Sequence, residues 1–271
     1  LAVDGRGHLD PDELRQALRE DTAVVSVMMA NNETGVIFDT EEVGSIVKEN
    51  GSVFHVDGVQ AAGKLPLDLK SSTIDLFSIS GHKLHASKGV GALYVRKGTK
   101  IRPLIVGGHQ ERGRRAGTEN VAALAGMGVA CDLAAANIEN ENTMVKDLRD
   151  RLEAGLLEAI DDTQANGDPA RRLPNTTNIS FKYIEGEGIL LLLDRVGVAA
   201  SSGSACTSGS LEPSHVLRAM GLPFTLTHGS IRFSLSRYNT LDEVDYVIKA
   251  LPPIIERLRL ITPFNEQRAT F

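Results

Sequence analysis

The sequence predicts an α/β protein: a mostly parallel sheet domain over residues 1–137, followed by a smaller α+β domain over 138–271. In the first half, short apolar runs alternate with helical stretches, which is the pattern of strands joined by crossover helices. Polar residues follow the ends of those runs, where open α/β sheets bind ligands. From Pro174 onward the character of the sequence changes, and strands and helices of an α+β domain follow.

The elements of the first domain follow from these runs in chain order. A helix is predicted to begin near Pro11, because proline is favoured in the first turn of a helix. The run AVVSVMMA (Ala23–Ala30) is predicted to be a strand buried on both faces. A helix is expected from Thr40 to Asn50. Three further strands are predicted: VFHVDGVQ, with its strand ending at Asp57; DLFSIS, ending at Ser80; and GVGALYV.

The elements of the second half are linked to the first by two long helices, predicted over about 119–139 and 142–160. The segments that follow are predicted, in order, to be the strand NTTNISF, the helix GEGILLLLDR, a short strand at Val198–Ala200 and a closing helix from Leu241 to Arg259. We find no repeats and no low-complexity tract.

Composition and charge exclude several classes of protein. The chain is 42% hydrophobic and 24% charged, with a net charge of -6, which argues against a dominant nucleic-acid-binding surface. No apolar run approaches the roughly 18 residues of a membrane span, and no signal peptide is recognised. Two cysteines are too few for a disulfide framework or a four-cysteine metal site, and they fit a reducing cytosol.

The two cysteines differ in their surroundings. Cys131 lies in an alanine-rich helical stretch and is predicted to be a small core residue. Cys206 lies in SSGSACTSGS, a run with too little apolar surface to pack, so we expect an exposed and mobile loop. A metal site is not expected there, because no second cysteine is near and His215 alone does not complete one.

Polar side chains collect just past the predicted strand ends, and this edge is the candidate site. They are Asn32, Asp57, Gln60, Ser80, His82 and Lys83. A lysine amine can form an imine with pyridoxal 5'-phosphate, and a carboxylate can keep its pyridine nitrogen protonated. The spacing of Asp57 and Lys83 taken alone favours a simple surface salt bridge between them.

Several motifs together give a more specific interpretation. SISGHK resembles the lysine segment of the fold type I pyridoxal phosphate enzymes, and with HVDGVQAAGKLPLD it is similar to the cysteine desulfurases of the NifS and IscS group. NNETG, GGHQERGRRAGTEN, SSGSACTSGSLEPSHVLRAMG and GSIRFSLSRYNT match that group in the expected order. The resemblance covers essentially the whole chain, and the last three motifs are closest to the nitrogen-fixation type.

The resemblance implies roles for individual residues around pyridoxal 5'-phosphate. Lys83 is the Schiff-base lysine, Asp57 pairs with the ring nitrogen, and Cys206 is the nucleophile that forms a persulfide. Asn32 and Gln60 hydrogen-bond the phenolic oxygen, and Ser80 and His82 hold the phosphate. Thr118 reaches the cofactor of the other subunit in a homodimer. Arg232 binds the substrate carboxylate, for which a planar guanidinium is well suited.

Each assignment has a structural alternative. Ser80 could cap a helix, and His82 could be a hydrogen-bonded core histidine. Thr118 could be the N-cap of the helix that follows it, and Arg232 an ion-paired strand residue. The co-occurrence of the motifs favours the functional interpretation over these alternatives.

The resemblance also implies a reaction and partners: conversion of L-cysteine to L-alanine, with sulfur carried on Cys206 to a scaffold protein of the NifU or IscU type for iron-sulfur cluster assembly in the cytoplasm. Nucleic-acid and membrane partners are not expected. The alternatives are another fold type I enzyme, such as a selenocysteine lyase or an aminotransferase, and an inactive module that binds a sulfur scaffold.

The resemblance begins partway through the family pattern. No segment of this sequence matches the phosphate-cupping turn or the ring-stacking histidine of the family, and His55 and His109 belong to other motifs. The 271-residue chain by itself is therefore expected to bind the cofactor poorly and to release no sulfide.

Overall fold

The computed structural model describes residues 1–203 and 213–262. These residues form two compact units, each assembled from segments that are separate in the chain. The sheet unit consists of Leu14–Met29 and Asp39–Ile138, and the C-terminal unit consists of Leu1–Glu13, Ala30–Phe38 and the residues from Glu139 onward. Two segments that the sequence analysis assigned to 1–137 thus cluster with the C-terminal unit. Helix α1 (Pro11–Ala17), predicted to begin near Pro11, crosses from one unit to the other.

The sheet unit is organised around four strands in the order β1-β2-β3-β4. Strand β1 pairs in parallel with β2, and β2 in parallel with β3, whereas β4 runs antiparallel to β3. The predicted mostly parallel sheet is therefore confirmed. The strands are β1 (Val24–Met28), β2 (Val53–Asp57), β3 (Leu76–Ser80) and β4 (Gly91–Val95).

One face of this sheet forms the core of the unit, where Phe54, Val56 and Phe77 pack with apolar residues of α2 (Thr40–Asn50). The prediction that β1 is buried on both faces is wrong. Val24 is 53% exposed and Met28 38% exposed, while Val25 between them is buried. The reason is that the α2 side of the sheet is covered, whereas side chains of β1 on the opposite face are open to solvent among the described residues.

The two longer helices of the sheet unit begin at residues that can satisfy the free N–H groups of a first turn. Helix α2 has the predicted bounds, and the Asp39 side chain accepts a hydrogen bond from the Glu42 N–H. The four-residue α3 (Gln110–Gly113) precedes α4 (Val121–Ala136), in which Asn120 is the N-cap. Only one side of α4 is buried, through Ala123, Met127, Ala130 and Ala134.

The C-terminal unit contains a three-stranded antiparallel sheet in the order β5-β6-β7. Its strands are β5 (Thr163–Ala165), β6 (Thr176–Phe181) and β7 (Ser230–Ser234). The predicted second long helix consists of α5 (Ile138–Asn140), a π-helical turn (Glu141–Val145) and α6 (Lys146–Ala159). The remaining helices are α7 (Gly186–Arg195), α8 (His215–Ala219), α9 (Phe224–Thr227) and α10 (Leu241–Ile261).

The core of the C-terminal unit lies between its sheet and helices α6, α7 and α10. Ile179, Phe181 and Ile231 of the strands are fully buried there, together with Leu156 and Leu251 of the helices. The predicted strand at Val198–Ala200 is not formed. Instead, Ser201 makes a single antiparallel bridge with Arg232, because the backbone pairing at this edge of β7 extends over only one residue.

Among the described residues, no single helix is long and apolar enough to cross a membrane. One bent pair, Val121–Ala136 with Ile138–Ala159, meets the criterion of length and composition when taken together.

Candidate active site

The carboxyl ends of β2 and β3 bring the predicted site residues of the sheet unit to one edge. Asp57 is the last residue of β2 and pairs in register with Ser78 of β3. Ser80 is the last residue of β3. Because the two strands are parallel, the polypeptide leaves the sheet at the same edge after each of them. This edge is where ligands bind in open α/β sheets.

Lys83 lies in a one-turn 3-10 helix (Gly81–Leu84) directly after β3. The turn is anchored by the buried side chain of Leu84 and by a hydrogen bond from the Gly81 N–H to the Val90 carbonyl (2.9 Å). A Cβ at position 81 would lie 2.7 Å from the Val90 side chain, so glycine permits this close approach. The lysine is held by its backbone, and its own side chain is half-buried.

The side chain of Lys83 makes no hydrogen bond or ion pair within the described parts of the chain. Asp57 is exposed, and its carboxylate accepts a hydrogen bond from the Val59 N–H at 2.9 Å. The alternative of a salt bridge between Asp57 and Lys83 is therefore wrong for this structure. A lysine and a carboxylate are both left available at one edge of the sheet.

Ser80 and His82 contact each other: Ser80 Oγ lies 2.8 Å from His82 Nδ1. His82 is exposed, so it is not a core histidine. Ser80 occupies the position before the 3-10 helix, but its side chain makes no capping hydrogen bond. Both alternatives stated for these residues are therefore wrong, and a hydroxyl and an imidazole are presented together beside Lys83.

Gln60 and Thr118 also belong to the sheet unit. Gln60 is half-buried in the turn after β2, and Thr118 is exposed three residues before α4 begins. The N-cap of α4 is Asn120 rather than Thr118, so the capping alternative for Thr118 is wrong. Neither side chain has a hydrogen-bond partner among the described residues.

His55 is a residue of this edge that the sequence analysis left without a role. Its Nδ1 lies 2.7 Å from Ser26 Oγ on β1, and its Nε2 lies 2.8 Å from Ser78 Oγ on β3. One imidazole thus connects three strands, on the same face of β2 as Asp57 two residues later. The signal was present in HVD, since alternate residues of a strand share a face, but the serine partners come from neighbouring strands.

Two further predicted residues, Asn32 and Arg232, belong to the C-terminal unit. Arg232 is half-buried on β7, and its Nη1 donates a hydrogen bond to the Asn32 carbonyl oxygen at 2.7 Å. Its backbone pairs with Ser201 in both directions, with N···O distances of 2.6 and 3.2 Å. The guanidinium is thus oriented from two sides, by the strand and by the turn that contains Asn32.

The structure describes one of the two cysteines and not the other. Cys206, the predicted nucleophile, lies in 204–212, outside the described residues. Cys131 is half-buried and packs against a small apolar cluster that includes Leu84 and Ala134. It was predicted to be a small core residue, and it packs at the margin of that core.

The donor set of the sheet edge fits pyridoxal 5'-phosphate. A half-buried amine and a carboxylate, neither of them in an ion pair, are the groups that its aldehyde and ring nitrogen require. The adjacent hydroxyl and imidazole of Ser80 and His82 are suited to a phosphate. No group of three or more histidine, cysteine, aspartate or glutamate residues in the described chain is arranged to hold a metal ion.

Nearly the whole chain is similar to known proteins of one enzyme family. Residues 1–247 match the family model described as aminotransferase class-V. A cysteine desulfurase of Trichormus azollae is 61% identical over 269 residues, which are 99% of this chain and 67% of the relative. Cysteine desulfurase NifS of Azotobacter vinelandii is 59% identical over 264 residues, 97% of this chain and 66% of that protein.

Solved structures agree with the sequence relatives. A NifS-like protein superposes with a TM-score of 0.88 at 40% identity, covering 95% of this chain and 68% of the other. The X-ray structure of a NifS-like protein from Rickettsia africae gives a TM-score of 0.86 at 35% identity, covering 94% of this chain and 69% of the other. The chain thus spans about two thirds of the length of the proteins it matches.

Proposed function

We propose, on the premise that this chain belongs to the aminotransferase class-V family as a pyridoxal-phosphate-dependent cysteine desulfurase, that Lys83, Asp57 and Cys206 carry the central chemistry of that reaction. One observation supports the roles of Lys83 and Asp57: the amine and the carboxylate lie at neighbouring strand ends without forming an ion pair. Cys206 is proposed from its motif alone.

When the cofactor is bound, Lys83 would be the residue of covalent attachment and Asp57 would pair with the ring nitrogen. Gln60 and Asn32 hydrogen-bond the ring oxygen. Ser80 and His82 hold the phosphate, to which their mutual hydrogen bond is suited. When bound, the cofactor supplies an electron sink for the negative charge that develops at the substrate α-carbon.

The other steps belong to groups of the chain. Arg232 binds the carboxylate of L-cysteine, and the Lys83 amine takes the α-proton. The Cys206 thiolate then bonds to the substrate sulfur as the Cβ–S bond breaks, and that electron pair stays with the carbon skeleton, which leaves as L-alanine after protonation. Overall, L-cysteine and the Cys206 thiol give L-alanine and the Cys206 persulfide, so no external oxidant or reductant is needed.

The wider setting of the reaction forms part of the same proposal. The enzyme works as a homodimer in the cytoplasm, in which Thr118 of each subunit reaches the phosphate bound by the other. The persulfide sulfur passes to a scaffold protein of the NifU or IscU type for iron-sulfur cluster assembly. High identity to proteins named NifS supports a role in nitrogen fixation.

Substitution of Lys83 tests the cofactor assignment. In the full-length enzyme, Lys83→Ala should abolish the visible absorbance of bound cofactor, because the only covalent attachment is removed. Lys88→Ala, an exposed lysine five residues later, should keep that absorbance. An unchanged spectrum in Lys83→Ala would contradict the assignment.

Substitution of Cys206 separates a desulfurase from other fold type I enzymes. Cys206→Ala should keep the cofactor absorbance but lose the protein-bound persulfide, measured by mass spectrometry after one turnover with L-cysteine. Cys131→Ala should behave like the parent. A persulfide on Cys131, or full sulfide release by Cys206→Ala, would instead favour an enzyme that needs no loop thiol.

A further inference from the structure

Glu33 is a buried carboxylate to which the proposed chemistry gives no task. It follows Asn32 in the chain, and only 1% of its surface is exposed. Burial of a carboxylate is costly unless hydrogen bonds replace its water. Its described partners therefore indicate what it does.

The carboxylate of Glu33 meets two segments of the C-terminal unit. Ser214 Oγ donates a hydrogen bond to Glu33 Oε2 at 2.5 Å, and the same hydroxyl caps α8 by accepting from the Leu217 N–H at 3.2 Å. On the other side, a Cβ added to Gly203 would lie 3.0 Å from the same Oε2. The backbone of Gly203 therefore packs directly beside that oxygen, with a φ of 69°.

The turn that carries Glu33 is itself fixed. Asn31 Oδ1 accepts hydrogen bonds from the N–H groups of Glu33 and Thr34, at 2.8 and 3.0 Å. The Glu33 carbonyl accepts a hydrogen bond from Asn178 of β6 at 3.3 Å. Glu33 is thus a rigid point in the unit, one residue from the carbonyl that orients Arg232.

Gly203 and Ser214 are also the two ends of the stretch that contains Cys206. On one side of that stretch Ser214 donates a hydrogen bond to Glu33 Oε2, and on the other side Gly203 lies beside the same oxygen. A fixed position for flanking residues lowers the entropic cost of bringing a group of the stretch between them to a bound substrate.

We propose that Glu33 is a positioning residue for sulfur transfer: from the turn that orients Arg232, its buried carboxylate fixes Ser214 and lies beside Gly203, the two residues that flank the Cys206 stretch. This inference rests on the proposed function, because it takes Cys206 as the sulfur acceptor and Arg232 as the substrate carboxylate site.

The experiment compares Glu33→Ala, Ser214→Ala and Ser214→Thr in the full-length enzyme loaded with cofactor. Two quantities are measured: the single-turnover rate of persulfide formation on Cys206, and the L-cysteine concentration that half-saturates the change in cofactor absorbance. Glu33→Ala and Ser214→Ala should slow persulfide formation at least about tenfold while half-saturation shifts less than about threefold. Ser214→Thr retains the hydroxyl and should stay within about twofold of the parent.

The double variant Glu33→Ala with Ser214→Ala gives a second criterion. Because both changes remove the same contact, their effects should not multiply, and the double variant should be no more than about threefold slower than Glu33→Ala alone. A merely structural role would reduce substrate binding and transfer together, whereas the coupling shows only that the two residues act through one contact.

The inference is overturned if Ser214→Ala forms the persulfide at the parental rate, or if slower transfer is matched by equally weakened binding of L-cysteine. Should Glu33→Ala fail to fold, the two Ser214 variants decide the question. Parallel measurement of Cys206→Ala distinguishes a failure of the proposed function from a failure of the role of Glu33. If that variant still accumulates persulfide, the proposed function is wrong and this inference falls with it, whereas unaffected Glu33 and Ser214 variants with normal Cys206 chemistry contradict only the role of Glu33.

Discussion

Asp57 depends on the residue that follows it. Gly58 is buried, and a Cβ at this position would lie 1.8 Å from the ring of Phe77 on β3. The ring is itself buried, with 3% of its surface exposed. The direction in which the chain leaves β2, and with it the placement of Asp57, therefore requires that position 58 has no side chain.

Gly58→Ala should lower the free energy of unfolding by about 1–3 kcal/mol through overpacking, and should also weaken cofactor retention because Asp57 is displaced. Urea unfolding and the rate of cofactor release measure the two effects. The matched control is Gly126→Ala in α4, where a Cβ meets no atom within 4 Å. The control should be neutral or stabilising by up to about 1 kcal/mol. Equal effects of the two substitutions would contradict the packing explanation.

At this scale, the sequence was sufficient to predict residues whose position follows from where a strand ends. Asp57, Ser80 and Lys83 are of this kind, since each lies at or just after the end of an apolar run. The tight contact at Gly58 and the serine partners of His55 could not be predicted, because they depend on which strand lies beside β2 and in what register.

Strand β6 shows how an element can be buried without being apolar. All six of its residues are buried, yet four of them are polar: Thr176, Thr177, Asn178 and Ser180. Ile179 and Phe181 enter the helix-packed core, and Thr177 lies on the same face. Hydrogen bonds satisfy the polar side chains. Asn166 Nδ2, for example, donates to Asn178 Oδ1 and to Ser180 Oγ, both at 2.7 Å.

Glu153 of α6 is the partner of Thr177 and stabilises this arrangement. Arg172 donates to its two carboxylate oxygens, at 2.5 and 2.6 Å, and the Thr177 hydroxyl donates to one of them. Burial opposes the charged form of Glu153, but these hydrogen bonds outweigh that effect and hold the pKa of the carboxyl below its usual value. The carboxylate therefore stabilises the fold at neutral pH.

Glu153→Gln should destabilise the enzyme by about 3 kcal/mol at pH 7, because the buried Arg172 guanidinium loses its counter-charge. Since the folded pKa is lowered, the stabilisation is fully present above the unfolded pKa near 4.5 and is lost as the pH falls through the lower folded value. Urea unfolding at pH 7 and at pH 4 should show a smaller difference between parent and variant at pH 4. A constant difference would contradict the ionic origin.

Element by element, helices and strands with a clear apolar period were predicted well, as α2 and α7 show by matching their expected bounds. Val198–Ala200 was misjudged because its β-branched and small residues suit a strand, while only Ser201 finds a pairing partner. The polar face of β6 could not be predicted to be buried. Its cover includes Gly35 of the Asn31–Val36 turn, where an added Cβ would lie 3.2 Å from Thr176.

At the scale of the whole molecule, the C-terminal unit is closed by a segment from the start of the sequence. His8 Nε2 lies 2.9 Å from Asp168 Oδ2, and Asp168 also accepts hydrogen bonds from the N–H groups of Ala170 and Arg171. The contact with His8, followed by these backbone bonds, outweighs burial and lowers the pKa of Asp168 to about 2. No local pattern in the sequence predicts such a contact, because its partners are 160 positions apart.

Asp168→Asn should lower the free energy of unfolding at pH 7 by about 1–2 kcal/mol, since the amide oxygen can keep the backbone bonds but the negative charge of the carboxylate is lost. With a folded pKa of about 2, the carboxylate stabilises the fold above pH 3.8, and the effect is lost as the pH falls toward 2. The stabilities of parent and variant should therefore converge as the pH approaches about 2. Asp132→Asn, an exposed residue of α4, should change neither value.

During synthesis, the Asn31–Val36 turn is made long before the strand that covers it. About 140 residues separate it from β6, so at roughly 5–20 residues per second the ribosome needs about 7–28 s to deliver the strand that buries it. An apolar segment left uncovered for so long would invite aggregation. The turn instead begins with Asn31, Asn32, Glu33 and Thr34, which water solvates readily until β6 arrives. The polarity that later fills a buried network thus also protects the nascent chain.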